Sequence, residues 1–466
     1  MTLLRNSSIY LLTSLIPSAV GFLLMPFYLS YITLEEFGYF SVLLMINTFL
    51  TIFATMQLHS SIVKFFLVYK NDKFKQKQYL TSLLVVSVVI SMIFLSFVYC
   101  FLDEIKVLFE LEKLSNELVL LGLLIAFVNG FKVFYESINR ILQHVKDVLV
   151  SNVLATIVLV GCTYSFLKYY DMNLYGIVLA TLISSIVALF YYIIINKKYF
   201  VLSIDFKLIK EPIKFAIGLI PHTLSKNIYV LADRFILIKF VSMSDVGIYA
   251  IIDKVANILK LMTSNFGKAF TPFFMTNNSN TVSMNLSQMI VITNYIFLGF
   301  LLGLTLFSKL ILGFIQDGLE IYAYLTVVLS TAFIFKNLEM YLTNFLLDNK
   351  QTKYISIISF SAAILNIVLN LSFIPIYGIV AATITTTISY FIGFIVAYYY
   401  VDRKFKYFEF PFFKVSLDFL FVGILVLLTY FYQNLYGLGF LMLYLGYGYF
   451  KYFYILKEKL LKRLKR

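Results

Sequence analysis

Long apolar runs dominate this sequence, and they match the roughly 20 residues that an α-helix needs to cross a lipid bilayer. Of the 466 residues, 61% are hydrophobic and only 13% are charged. Soluble proteins carry about 25% charged residues, so this composition excludes a soluble enzyme and a soluble nucleic-acid-binding domain. The runs therefore predict an all-α polytopic membrane protein.

Hydropathy indicates fourteen transmembrane helices joined by short connections. The N-terminal run continues to about Ser30, which is too long for the apolar region of a signal peptide, so we interpret it as the first, retained span. The predicted spans are roughly 8–30, 37–63, 79–102, 117–140, 148–167, 174–195, 214–240, 246–268, 285–308, 321–346, 354–374, 378–401, 415–432 and 435–456.

The lysine and arginine residues test this count, because the cytoplasmic loops of membrane proteins carry most of the basic residues. With the N-terminus in the cytoplasm, 27 of the 38 fall inside, 5 fall outside and 6 lie within helices. This bias predicts an even number of spans with both termini cytoplasmic. The net charge of +14 then reflects membrane orientation and attraction to anionic membrane lipids, and no nucleic-acid partner is expected.

The sequence also repeats itself at an offset of about 204 residues. Several short segments of the first half return in the same order in the second half, which chance does not readily explain. The paired segments are Ile16-Pro17 with Ile220-Pro221, Phe131-Lys132 with Phe335-Lys336, 34–39 with 243–249, and 175–181 with 377–383.

Each repeat contains six predicted helices, and this even number gives both repeats the same orientation in the membrane. Many secondary transporters share this parallel design and place the substrate site between the two halves. The predicted domains are therefore 1–200 for the first six helices, 201–405 for the next six, and 406–466 for two extra C-terminal helices and a basic cytoplasmic tail.

No motif of an enzyme or an ATPase occurs in the sequence. The two cysteines and the three histidines form no metal-binding pattern, and Gly267-Lys268 lacks the other residues of a phosphate-binding loop. We therefore expect no cofactor, no metal and no catalytic site. Transport by such a chain is expected to be secondary, with a proton or a sodium ion as the candidate coupling ion.

Three stretches of the chain carry the motifs of one known family. They are Asp233–Leu237 with Gly247-Ile248-Tyr249, Lys254 and Pro272; Asn366, Asn370, Ile374-Pro375, Gly378, Ala381-Ala382 and Thr383; and Pro26, Phe37-Gly38 and Lys64. On these residues the chain resembles the polysaccharide-transport branch of the multidrug/oligosaccharidyl-lipid/polysaccharide flippase superfamily. This branch includes O-antigen and capsule repeat-unit flippases.

The resemblance implies two six-helix lobes in a V around a cavity that opens alternately to each side of the membrane. It implies an undecaprenyl-pyrophosphate-linked oligosaccharide as the substrate, turned over across a bacterial cytoplasmic membrane for O-antigen, capsule or another surface polysaccharide. Lipid II flippases of the same superfamily carry arginines in their first helix. Because 8–30 has no charged residue, lipid II is disfavoured as the substrate.

Charged residues within the predicted spans point to a polar cavity, since such side chains usually face the bundle interior or water. Lys132 and Lys336 occupy equivalent repeat positions and predict one anionic-substrate site. In the alternative reading, each is neutralised on its own helix, by Glu136 and Glu339 respectively. The candidate substrate-binding residues are Lys132, Lys336, Lys226, Lys254, Lys260 and Lys64, and the candidate ion-coupling or charge-pair residues are Glu136, Asp253, Glu339, Asp233 and Arg234.

Two other functions compete with the flippase hypothesis. A multidrug/toxin:cation antiporter of the same superfamily is disfavoured by the count of fourteen helices and by midplane lysines, which would repel a cation. A polysaccharide polymerase is expected to carry a substantial external loop with paired catalytic residues. The longest external connection here, roughly 103–116, is short and carries mostly Glu, Leu and Lys.

Overall fold

Helices form the architecture, as the apolar runs predict. The computed structural model describes residues 2–276, 279–349, 351–405, 410–431 and 439–448, and no β-strand occurs among them. A short helical segment covers Gly439–Gly448. The α-helices are α1 Thr2–Leu29, α2 Leu34–Ala54, α3 Leu58–Phe65, α4 Lys73–Cys100, α5 Leu102–Leu108, α6 Asn116–Ile141, α7 Val145–Lys168, α8 Asn173–Asn196, α9 Lys210–Phe240, α10 Met243–Thr276, α11 Ser279–Ile315, α12 Ala323–Asp348, α13 Thr352–Lys404 and α14 Phe412–Phe431.

Most of the predicted spans coincide with these helices; the second, 37–63, is divided between α2 and α3, and the last, 435–456, lies partly outside the described residues. Among the described residues, nine helices are long and apolar enough to cross a bilayer, and one of them, α13, contains two predicted spans. The all-α membrane fold is thereby confirmed. The count of fourteen crossings stays a prediction.

The second predicted span, 37–63, is two helices rather than one. Between α2 and α3, Met56 and Gln57 take left-handed backbone conformations with φ of 46° and 57°. Gly130 of α6 lies against this break, since a Cβ there would come within 2.8 Å of Thr55 Cγ2. Neither Met nor Gln is a strong helix breaker, so hydropathy does not reveal the interruption.

Polar residues at the helix starts explain where two of the spans begin. The Thr33 hydroxyl accepts the Glu36 N–H at 3.2 Å, and the Glu36 carboxylate accepts the Thr33 N–H at 2.8 Å, which forms a capping box before α2. Before α4, the Asp72 carboxylate accepts the N–H groups of Phe74 and Lys75 at 3.1 and 3.0 Å. These bonds satisfy donors that the first helical turn leaves unpaired.

The helix α13 bends where two predicted spans meet. Gly378 has φ 55° and ψ −132°, a conformation that a residue with a side chain rarely adopts, and Pro375 lies one turn earlier. Near this bend Asn370 Nδ2 donates to Asn366 Oδ1 at 3.1 Å, and the Thr385 hydroxyl donates to Asn370 Oδ1. The buried bond of Thr385 to Asn370 ties the two halves of α13 together.

The order of the helices follows the sequence repeat. The first helix of each repeat, α1 or α9, contains an internal proline, Pro17 or Pro221. The helices α2, α4 and α6 then correspond to α10, α11 and α12, and the pair α7 and α8 corresponds to the two halves of α13.

The chain divides into two compact units, Met1–Ile248 and Tyr249–Arg466. In the first unit α2 and α8 pack on α6, and α1 packs on α7; in the second unit α12 packs along α13. The division predicted from the repeat, with boundaries at 200 and 405, stays a prediction. Buried side chains include Leu58, Tyr79, Phe134 and Tyr192 in the first unit and Leu338, Tyr341, Phe394 and Val401 in the second.

A reciprocal glycine contact holds α2 against the first turns of α10 within the first unit. A Cβ at Gly38 would overlap the backbone carbonyl of Met243, and a Cβ at Gly247 would overlap the backbone carbonyl of Leu34. Gly38 and Gly247 occupy equivalent positions of the sequence repeat. Small residues let helix backbones approach closely, and here only the absence of a side chain permits the contact.

We expect Gly38→Ala and Gly247→Ala each to destabilise the folded protein by about 1–3 kcal/mol, because the added methyl forces the two backbones apart. Gly161→Ala is the matched control, since a Cβ at this helical glycine meets no atom within 4 Å and alanine has the higher helix propensity. Thermal unfolding of the purified variants in detergent measures the effect. Equal melting temperatures for Gly38→Ala and Gly161→Ala would contradict the contact.

Candidate functional site

Lys132 lies on α6 and is half-buried. Its predicted partner Glu136 binds Arg140 instead, with Arg140 Nε and Nη2 at 3.1 and 2.5 Å from Glu136 Oε1. Within the described part of the chain, Lys132 forms neither an ion pair nor a hydrogen bond. The carboxylate that the sequence offers to Lys132 is therefore engaged elsewhere, and the ammonium group has no acidic partner at contact distance.

Helix geometry explains why Glu136 binds Arg140. Lys132 and Arg140 each lie four residues from Glu136, but a carboxylate N-terminal to its cation is the more favourable order. The planar guanidinium also forms stronger and better oriented hydrogen bonds with a carboxylate than an ammonium does. At the position equivalent to Arg140, the second repeat carries the uncharged Asn344.

Lys336, on α12, forms the ion pair that the sequence predicts. Its Nζ lies 2.8 and 2.9 Å from the two carboxylate oxygens of Glu339. The Glu339 side chain is only 3% exposed, whereas that of Lys336 is 38% exposed. Gly393 of α13 leaves room for this carboxylate, since a Cβ there would lie 3.1 Å from Glu339 Oε2. The two repeat-equivalent lysines therefore differ in their electrostatic state.

Two lysines of the second unit lie on a pair of aromatic rings. The rings of Phe333 on α12 and Tyr390 on α13 have centroids 6.5 Å apart. Lys260 Nζ, from α10, lies 5.1 Å from the Phe333 centroid, and Lys336 Nζ lies 5.5 Å from the Tyr390 centroid. Both distances are within the range of cation–π attraction. We call these four residues the cation–aromatic cluster.

A polar stripe on α10 continues from this cluster. Asn257 Nδ2 donates to Asp253 Oδ2 at 3.0 Å, and Lys260 lies one turn further along the same face. Lys254 is half-buried beside the stripe and has a contact partner of its own. Asp253, Asn257 and Lys260 thus share one polar face of α10 within the second unit.

The pair Asp233 and Arg234 lies near the end of α9. Asp233 is 8% exposed, and its carboxylate accepts the backbone N–H of Arg234 at 2.8 Å. This bond anchors the carboxylate to its own helix, which fits a structural role for the pair. The side chain of Lys226 is not among those that the structure describes. Its position on the same face of α9 as Asp233 therefore stays a prediction.

Lys64 lies at the end of α3 and is exposed. Its Nζ lies 4.1 Å from the ring centroid of Phe215 on α9 and 5.4 Å from that of Phe65. The ammonium group therefore links α3 to α9 through a cation–π contact while it remains accessible to an anionic ligand.

An apolar groove of about 520 Å³ lies in the second unit, between α10, α11 and the segment Gly439–Gly448. None of the described residues that line it is charged. Tyr444 packs against Gly299 of α11, whereas Gly303, one turn later, faces open space. A groove of this chemistry suits a hydrocarbon chain.

The candidate residues are divided between the two units: those of α3, α6 and α9 lie in the first unit, and those of α10 and α12 lie in the second. The sequence pattern missed three partners, Arg140, Phe333 and Tyr390. Sequence spacing could have identified two of them, because Arg140 lies one helical turn after Glu136 and Phe333 lies one turn before Lys336. No comparable signal existed for Tyr390, because it reaches the cluster through the packing of α12 on α13.

Comparison with known proteins gives one family match. Residues 3–278 match the family described as "Polysaccharide biosynthesis protein". No curated protein sequence matches the chain.

Solved structures resemble the fold over most of the chain. The lipid II flippase MurJ in its inward closed conformation gives a TM-score of 0.79 at 17% sequence identity, covering 95% of this chain and 98% of that one. A multidrug resistance MATE family transporter of the MOP superfamily, inward-facing, gives 0.66 at 13% identity, covering 87% and 98%. The Vibrio cholerae MATE transporter VcmN in its bent form gives 0.56 at 13% identity, covering 90% and 97%. At these identities the likeness establishes a shared fold.

Proposed function

The chain belongs to the polysaccharide biosynthesis protein family, and from this premise we propose that it is a flippase for lipid-linked oligosaccharide repeat units. The substrate class is an undecaprenyl-pyrophosphate-linked oligosaccharide, moved across a bacterial cytoplasmic membrane for O-antigen, capsule or another surface polysaccharide. Movement occurs by alternating access, and both termini lie in the cytoplasm. The fold shared with flippases and transporters supports this proposal.

The observation that carries the proposal is that the Lys132 ammonium group has no acidic partner at contact distance among the described residues. An ammonium group on an apolar helix is costly in lipid, by roughly 2.5–3.5 kcal/mol on insertion scales, so it faces water or a ligand. Here the adjacent carboxylate binds Arg140 instead. A pyrophosphate group is an anion that an ammonium group binds well. The Lys132 ammonium is therefore assigned to the substrate's head group.

Two features of the second unit support the same substrate. The cation–aromatic cluster combines ammonium groups with ring faces, and this combination suits a ligand that carries both anionic groups and sugar rings. The apolar groove suits the polyprenyl chain. Lys64, Lys226 and Lys254 complete the proposed basic set, and Asp253, with a proton or sodium ion, is assigned to energy coupling.

A multidrug antiporter of the same superfamily is the alternative, since MATE transporters share the fold. An organic cation would be repelled by the unpaired Lys132, which is why we rank the flippase first. Deletion of the gene followed by lipid analysis tests the choice. We expect undecaprenyl-linked repeat units to accumulate on the cytoplasmic side. Normal surface polysaccharide with raised sensitivity to cationic drugs would favour the antiporter, and unpolymerised single units at the surface would favour a polymerase.

The topology makes a separate prediction. In a chain whose natural cysteines are replaced by serine, Asn71→Cys is expected to resist a membrane-impermeant thiol reagent in intact cells, and Glu112→Cys is expected to react. Both positions are exposed, so a difference in labelling reports the side of the membrane rather than burial. Labelling of Asn71→Cys from outside intact cells would contradict the predicted orientation.

A further inference from the structure

A basic cavity of about 230 Å³ lies in the first unit, where α4 begins. Lys73 and Lys77 of the first turns of α4 line it, together with Lys198 of the short turn that follows α8. The buried side chains of Phe66 and Leu80 provide an apolar wall. Gln76 and Tyr199 complete the lining, so the cavity combines basic, polar and apolar groups.

The three ammonium groups have no acidic partner in this cavity. None of the described residues that line it is a carboxylate, and among the described residues none of the three lysines forms an ion pair or a hydrogen bond. Asp72, the nearest acidic residue in sequence, caps α4 and pairs with Lys75 at 3.7 Å. Three like charges around one cavity repel one another, so an anion bound between them is favoured.

The position of the cavity indicates where that anion comes from. Lys73 is the first residue of the apolar helix Lys73–Cys100, and Lys198 follows directly on the apolar helix Asn173–Asn196. The ends of membrane-spanning helices lie at the level of the lipid head groups, and basic pockets between helices on the cytoplasmic side bind phosphate-bearing lipid head groups. The apolar wall suits the start of an acyl chain.

We propose that this cavity binds the phosphate group of an anionic membrane lipid, with the first acyl carbons against Phe66 and Leu80. The lipid neutralises the like charges that the start of α4 and the turn after α8 bring together here, beside the hydrogen bonds of Gln78 to Ser203 and of Val201 to Thr81 that already join these elements. The proposal depends on the membrane location of the chain and not on the substrate that it transports.

The test compares a variant that lacks the three positive charges of the cavity with a control that lacks three positive charges outside it. The variant carries Lys73→Gln, Lys77→Gln and Lys198→Gln, and the control carries Lys70→Gln, Lys207→Gln and Lys210→Gln, three basic residues of the same predicted side outside the cavity. The full chain in neutral detergent is titrated with phosphatidylglycerol, and the rise in melting temperature reports binding. A basic residue near a lipid surface is worth about fivefold in affinity, so the cavity variant is expected to bind roughly a hundredfold more weakly, and the control like wild type.

Three further probes, phosphatidylcholine, inorganic phosphate and undecaprenyl pyrophosphate, separate the possible sources of the phosphate. Phosphatidylcholine and inorganic phosphate are expected to leave the melting temperature unchanged at concentrations where phosphatidylglycerol raises it. Equal stabilisation by inorganic phosphate would overturn the assignment to a lipid. A loss in the cavity variant that affects undecaprenyl pyrophosphate alone would assign the cavity to the transported substrate. Equal losses in the cavity variant and the control would reduce the effect to general surface charge.

The same variants control for folding. The cavity variant is expected to be at least as stable as wild type in neutral detergent, because it relieves repulsion and loses no ion pair or hydrogen bond among the described residues, only the cation–π contact of Lys198 with Tyr199 at 5.1 Å. Should the triple variant not fold, Lys198→Gln alone changes one exposed side chain at the cavity rim, and an unchanged affinity for phosphatidylglycerol in that variant contradicts the proposal.

Discussion

Lys132→Ala is expected to lower transport of a lipid-linked pyrophosphate substrate by about 10- to 100-fold. A hydrogen bond to a charged group contributes about 1.5–3 kcal/mol, which corresponds to that range of affinity. Lys132→Arg is expected to retain most of the activity because it keeps the charge. Lys146→Ala, which removes an exposed lysine at the start of α7, is the matched control and is expected to behave like wild type. Transport is measured in vesicles with a fluorescent lipid-linked oligosaccharide.

The ion pair between Glu136 and Arg140 makes this prediction sharper. If Arg140 keeps the carboxylate away from Lys132, then Arg140→Gln frees Glu136 to pair with Lys132, and transport is expected to fall although no lysine has changed. Adding Glu136→Gln to Arg140→Gln removes the released carboxylate and is expected to restore transport. Full activity in Lys132→Ala would remove this lysine from the substrate site. An unchanged rate in Arg140→Gln would show that the competition for Glu136 has no functional consequence.

Much of the fold could be predicted from the sequence because the bilayer imposes a length on each apolar run. That length does not show where a helix is interrupted. The break at Met56 and Gln57 involves neither glycine nor proline, so composition gives no warning of it. The bend at Gly378 is different, since Pro375 and Gly378 are both visible in the sequence as residues that interrupt helices.

The candidate site was predictable only in part. Charged residues stand out on apolar helices, so every candidate lysine was visible. The carboxylate that pairs with each lysine could not be predicted in the same way. Glu136 has two cations within one helical turn, and the choice between them depends on geometry and on the chemistry of arginine. Contacts such as that of Lys336 with Tyr390 depend on the packing of separate helices. A single sequence holds no direct record of such packing.

Lys336→Ala is expected to destabilise the folded protein by about 3 kcal/mol, at the lower end of the roughly 3–5 kcal/mol observed when one partner of a buried ion pair is removed. The reason is the burial of the carboxylate, because the Glu339 side chain is only 3% exposed and loses its ammonium partner. The lower end applies since Lys336 itself is 38% exposed. Thermal unfolding in detergent measures the loss, with Lys146→Ala again as the control.

The double variant Lys336→Ala with Glu339→Gln separates structure from substrate binding. It removes both charges, so most of the lost stability is expected to return. If Lys336 also binds the pyrophosphate, this stable double variant still transports poorly, and Lys336→Arg transports well. If it transports like wild type, Lys336 serves only to neutralise Glu339. Of the two repeat-equivalent lysines, only Lys132 is then left as a candidate ligand of the substrate's pyrophosphate.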